Sequence, residues 1–246
     1  MKKIIFLFTL LICSICSSQK KKIDSLFVEF KKASFYEKIY PVKLQLENYQ
    51  KPIIPELIKL VQDTNFVKLT GTGDLIYPGA EKYYGHGHYI PYDLDWISIR
   101  AGWLLEELTF QNFGYQTTNI YGLKQGNNPE KENLKELQKL QAKKVEKWWK
   151  DNSKKWTRLE SIKEALSSND KIRVSKAIQF LKLGETKCDG LNREVFLKEI
   201  KPLALKLKDS NNKDIQEIGA LLENENLDYW LQKMEMLNKT ANNTRL

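Results

Sequence analysis

From Glu130 to Leu237 the apolar residues return at three- and four-residue spacing through six successive blocks, and this pattern confines the chain to helix packed on helix. The blocks run 130–151, 158–166, 171–183, 192–206, 213–223 and 226–237, with Asp, Asn, Ser or Gly between them. In the longest, Leu134, Leu137, Gln141, Val145 and Trp148 share one face, while Lys131, Lys135, Lys139, Lys143 and Lys147 share another. The tail from Thr240 to Leu246 reads as frayed. Upstream, Ile23, Leu26, Phe27 and Phe30 mark a helix ending near Lys32, and Val42, Leu44, Leu46 and Tyr49 mark a second segment. Pro52 and Pro55 open a helix over Ile53–Val61 whose inner face is Ile54, Leu57, Ile58 and Val61, since proline suits a first turn.

The next helix, capped by Asp93 or Asp95, carries Ile97, Ala101, Leu104, Leu105 and Leu108 on one face and Trp96, Arg100 and Trp103 on another. A helix apolar on two sides is buried between neighbours, so this one is the expected centre of the first half. Periodicity disappears over Asp63–Asp93, where glycines punctuate the chain, with a short strand expected at Phe66–Leu69; it disappears again over Asn112–Asn128. The fold expectation is all-α, with one domain over 19–246 and insertions at 64–93 and 112–129.

Residues 1–18 read as a signal peptide: Met1-Lys2-Lys3 is basic, Ile4–Ile15 is apolar, and small residues at Ser17 and Ser18 precede an abruptly polar Gln19-Lys20-Lys21-Lys22. Export to the periplasm or the medium follows, with a lipid anchor through Cys13 or Cys16 as the alternative. Each of those cysteines follows an isoleucine, whereas lipid attachment favours a small residue there. No other stretch is apolar enough to span a membrane once the signal is removed. Of the three cysteines only Cys188 stays in the mature chain, so no intramolecular disulfide is available and a hydrophobic core must hold the fold. Nothing around Lys187-Cys188-Asp189-Gly190 resembles a nucleophile motif, and a buried thiol is the expectation.

The net charge is +9, and Lys131–Arg158 alone carries a balance of +6. That stripe suits an anionic partner or a solvated helix face. Glu132, Glu136 and Glu146, each three or four residues before a lysine, favour the solvated face, and export argues against nucleic acid. Glu106 and Glu107 are adjacent, so on a helix they diverge by about 100° and cannot act as a paired acid and base.

The stretch Tyr83–Asp95 holds both histidines of the chain. In extended backbone His86 and His88 point to one side, and Asp93 or Asp95 adds oxygen, a donor set that zinc accepts; a third protein ligand is missing from any recognisable motif. Twelve aromatic residues fall between Phe66 and Tyr121, which favours a contact surface, since tyrosine and tryptophan combine large area with a polar handle. Tyr83, Tyr84, His86, His88, Tyr89, Tyr92, Asp93, Trp96 and Arg100 are the candidate ligand-binding residues, with no metal or cofactor assigned.

A recurrence runs through the helices: a first helix, an Asp or Asn turn whose aspartate can cap the second helix, then that helix with a buried alanine. Asp95, Arg100, Ala101 and Leu105 are echoed by Asp170, Arg173, Ala177 and Leu181, and again by Asp214, Gln216, Gly219, Ala220 and Leu222, while Pro55 and Pro202 mark first helices. This order resembles the HEAT and armadillo-like α-solenoids, whose units span roughly 40–47 residues. Leu108-Thr109-Phe110-Gln111-Asn112-Phe113-Gly114 followed by Trp148-Trp149 also looks like a Leu-Thr-x-x-x-Phe-Gly…Trp-Trp pattern of bacterial helical-repeat proteins, in which the two parts usually lie closer in sequence. The resemblance implies irregular HEAT-like helix pairs and transfers no catalytic residue. The expected function is that of an exported, non-enzymatic binding or scaffold protein that recognises a protein or an envelope polymer. The alternative is a metal-dependent hydrolase centred on His86 and His88.

Overall fold

A computed structural model describes residues 18–32, 36–63, 97–115 and 131–243. All regular structure among them is helical, with no strand. Residues 64–96, which include the aromatic insertion at 64–93 with its expected strand, and residues 116–130 lie outside the described residues, as do residues 1–17 of the expected signal peptide. No described helix is long and apolar enough to cross a membrane.

Helix α1 (residues 18–32) buries Leu26, Phe27 and Phe30, the two rings meeting edge to face at 6.4 Å. Helix α2 (Tyr36–Glu47) buries Ile39, Val42 and Leu46 at helical spacing. A single 3-10 turn at Lys51–Ile53 then leads into α3 (Ile54–Leu60), with prolines in both first turns, where no N–H is needed. Helix α4 (Ile97–Thr109) is enclosed almost all round, and α2, α3 and α6 pack on it. The long α5 (Lys131–Asn152) lies against α3 and buries Gln141, Ala142 and Val145. Leu26, Leu57, Leu104, Val145 and Trp156 belong to the first core these helices enclose.

The second core is built by α6 (Arg158–Leu166), α7 (Lys171–Leu183), α8 (residues 193–209), α9 (Lys213–Leu222) and α10 (Leu227–Asn243), with Phe110 of the preceding half inserted into it. Thr157 caps α6 by accepting from Glu160 N, and Asp170 caps α7 by accepting from Ile172 N and Arg173 N. Gly184, at φ 58°, ends α7 in the left-handed conformation. Helix α8 widens into a π turn at Phe196–Ile200 directly before Pro202, where the missing N–H and the ring would disturb a regular helix.

Three local details differ from the sequence expectation. Helix α9 is capped by the side chain of Asn212 rather than by Asp214, whose carboxylate instead pairs with Lys171 at 3.2 Å. The buried small residue of α9 is Gly219, and Ala220 faces solvent. Helix α10 continues to Asn243, past the expected start of fraying.

Gly219 is where α9 meets the end of α8: a methyl group there would sit 2.0 Å from the backbone nitrogen of Lys208. Separation of the two helices would expose Leu207, Ile215 and Leu222, all buried. Gly219→Ala is therefore expected to lower stability by about 1–3 kcal/mol, read by urea denaturation, whereas Ala220→Ser on the exposed neighbour stays within about 0.5 kcal/mol of the wild type.

Candidate functional site

The end of α4 determines how the two cores meet. After Thr109, whose hydroxyl donates back to Leu105 O at 2.6 Å, Phe110 takes a left-handed conformation at φ 54° and turns the chain towards the second core. The side chain of Glu106, fully buried, reaches forward over this turn. Its Oε1 accepts from the backbone nitrogens of Phe113, Gly114 and Tyr115 at 2.7, 2.7 and 3.0 Å, and its Oε2 accepts from Lys176 Nζ at 2.7 Å. Gly114, at φ 101°, supplies the conformation that aims three successive N–H groups at one oxygen. Gln141 donates to Gly114 O at 2.8 Å, and the Phe113 ring meets Trp148 edge to face at 5.6 Å. The Phe-Gly and Trp-Trp parts of the sequence pattern are thus in contact despite their separation along the chain.

A second buried pair joins α2 to α6. Arg158, 1% exposed, bonds through Nη2 to Glu47 and through Nη1 to Thr186 Oγ1 at 3.0 Å and Lys187 O at 2.9 Å. Its guanidinium lies 4.2 Å from the Phe180 ring centre and 5.7 Å from that of Phe110. The loop after α7 is fastened to the end of α2 as well, by Lys187 N to Asn48 Oδ1 at 2.8 Å and Asp189 N to Gln50 Oε1 at 3.3 Å.

Between these two pairs a small cleft of about 90 Å³ opens, with Tyr40, Lys43, Glu107, Lys176, Gln179 and Glu185 on its walls. Lys43 pairs with Glu107. Burial works against the charge on Lys43, but the carboxylates of Glu107 and Glu47 outweigh it and hold the ammonium above the usual lysine range. Burial pushes Glu107 above the usual carboxylate range, against the pull of Lys43, and draws Lys176 below the lysine range, against that of Glu106. Glu106 and Glu107 point to different cations, as adjacent helix positions require. The cleft has the volume of a few waters and the composition of a structural seam: its lysines are matched to carboxylates of the fold.

Of the candidate residues, Arg100 is described. It is 7% exposed and donates from Nη1 to Phe30 O at 2.9 Å, tying α4 to α1 within the first core. Trp103, its neighbour in the proposed aromatic face, packs half-buried against the same core. Tyr83, Tyr84, His86, His88, Tyr89, Tyr92, Asp93 and Trp96 lie outside the described residues. Among the described residues no three His, Cys, Asp or Glu side chains gather closely enough to hold a metal ion. Sequence reasoning missed the seam residues Lys43, Glu47, Arg158 and Lys176. A signal existed for two of them: Arg158 stands on the face of Ile162, Ala165 and Leu166, and Lys176 stands four residues from both Ile172 and Phe180, so each puts a charge among apolar residues of its own face.

No protein-family model, curated protein or solved structure matches this chain.

Two outcomes follow from the seam. Glu106→Gln leaves Lys176 buried without its counter-charge and is expected to cost about 3–5 kcal/mol in chemical denaturation, part of which Lys176→Met restores in the double variant. Cys188 is 4% exposed, and burial raises its thiol from 9.0 to about 12. Below pH 9 the thiol is protonated in both folded and unfolded chains and has no effect. Between pH 9 and about 12 the unfolded chain releases the proton first, so stability falls with rising pH. Cys188→Ala is expected to flatten that part of the stability profile, and a thiol-reactive disulfide should label the native protein only after unfolding.

Proposed function

We propose that this chain is an exported, non-enzymatic protein of the HEAT/armadillo-like kind that binds a protein or an envelope polymer through its aromatic insertion at 64–93. The observation that carries this reading is the base from which the insertion springs. It leaves the chain after α3 and returns at α4, and these two helices pack directly on each other within the first core. An aromatic-rich segment held at both ends by a rigid pair is a suitable recognition element, because the framework limits the ordering entropy lost on binding.

Two further features support it. The buried charges of the seam are matched to one another, so their chemistry is spent on holding the helices together. Asp170 and Asn212 cap α7 and α9 at corresponding points of successive helix pairs, and Ala177 and Gly219 are their buried small residues, which favours the repeat interpretation.

The test is affinity capture from an envelope extract with wild-type protein and with Tyr84, Tyr89 and Tyr92 replaced by alanine. Partners retained by the wild type are expected to be lost by the triple variant while its helical circular dichroism is kept. Equal recovery with both proteins would remove the insertion as the contact surface. Stoichiometric zinc in the untagged protein, abolished by His86→Ala and His88→Ala, would replace the reading with that of a metal-dependent hydrolase.

A further inference from the structure

A groove of about 470 Å³ runs between the end of α3 and the middle of α5, within the roughly 300–1,000 Å³ typical of small-molecule sites. Val61 and Ala142, both buried, give it an apolar floor, and the exposed Lys139 and Lys143 line it from α5. On the opposite side Gln62 donates to Glu146 and holds that carboxylate. Gln138 also lines the groove. The residue is 7% exposed, and its amide nitrogen is buried with no hydrogen-bond partner. An amide donor buried without a partner costs free energy in the unliganded fold, and an acceptor bound in the groove that Gln138 lines would offset that cost once the side chain turns its donor towards it.

We propose that this groove binds a monoanionic organic carboxylate of sugar-acid size. Two ammonium groups against one carboxylate leave the lining with a single positive charge, which matches one carboxylate and falls short of a doubly charged phosphate. A carboxylate accepts from the Gln138 amide and the Lys139 and Lys143 ammonium groups together, in charge-assisted hydrogen bonds. The floor of Val61 and Ala142 takes the C–H face of the ligand body. The same chemistry is offered by a free sugar acid and by a unit of an acidic polysaccharide. The residues named here lie after α3 and on α5, outside the aromatic insertion in sequence, and the site gives the lysine stripe of α5 a specific role beyond solvation.

The experiment is calorimetric titration of the purified full-length protein with glucuronate, glucose, inorganic phosphate and a glucuronate-containing oligosaccharide. Saturable binding of glucuronate is expected, with glucose and phosphate at least about tenfold weaker, since each lacks one half of the match. An oligosaccharide tighter than the monomer identifies the polymer as the source, and equal affinity identifies the free acid. Gln138→Leu should bind glucuronate about tenfold more weakly while its melting temperature stays level or rises, because the substitution removes an unpartnered buried amide. Lys139→Gln with Lys143→Gln, both on the exposed face, should weaken binding and flatten its salt dependence. The proposal is overturned by absence of saturable glucuronate binding, by phosphate or glucose binding as tightly, or by full affinity in either variant.

Discussion

The structure depends first on the carboxylate of Glu106. A charge fully removed from water is tolerable only if charge and hydrogen bonds are returned to it, and Glu106 receives one ammonium and three backbone N–H groups. Those partners come from α7 and from the turn after α4, so satisfying one side chain fixes the direction in which the chain leaves α4. It also sets the position of α7 beside it. The turn is gripped from the other side too: Asn112 donates to Asp170, Arg173 donates to Phe110 O, and Lys176 donates to Gln111 O. Asp170 at the N-cap of α7, and Arg173 and Lys176 within it, thus hold residues 110–112 at every third position, and Phe110 is delivered into the second core.

Charge at this seam performs a task that apolar contact performs poorly. Two helices meeting through leucine and valine can slide by a turn at modest cost, because one apolar ridge resembles the next. A glutamate or arginine displaced by a turn would be buried without its partner, at a cost of several kcal/mol. Glu106 with Lys176 and Glu47 with Arg158 therefore exclude neighbouring registers. The aromatic rings over Arg158 seal the second pair from water, which strengthens its electrostatics and raises the penalty for misplacement.

The helices were largely legible because their signals are local. Thr157, Asp170 and Gly184 stand where caps are expected, and α6 and α7 span the ranges that the apolar period marks. Errors arose where local signals compete. Asn212 and Asp214 are both good caps, and only the position of Lys171 in space assigns Asp214 to a salt bridge. Gly219 and Ala220 differ by about 100° around the helix, and the backbone of Lys208 decides which of them is buried. The seam was illegible for a different reason. Glu106 meets a lysine 70 positions away, and Glu47 meets Thr186 across 139. No windowed pattern joins such residues; only a charge on an otherwise apolar face hints that each has a distant partner.

The distribution of charge then separates framework from surface. In the seam, lysines and arginine are cancelled at contact distance, so they contribute little field outside the protein. On α5, Lys139, Lys143, Lys144, Lys147 and Lys150 are all exposed, and the few acidic neighbours leave a net positive face. An approaching anion is therefore attracted to α5 from roughly a Debye length away, about 8 Å at physiological ionic strength. A uniform positive face has no preference among anions. Selection needs a feature that distinguishes one ligand from another at contact, and the α3–α5 groove supplies shape, an apolar floor and one unpartnered donor at the place to which the field leads. Attraction over distance and discrimination at contact thus meet on one helix: Lys139 and Lys143 belong to its lysine face and also line the groove at which it packs on α3.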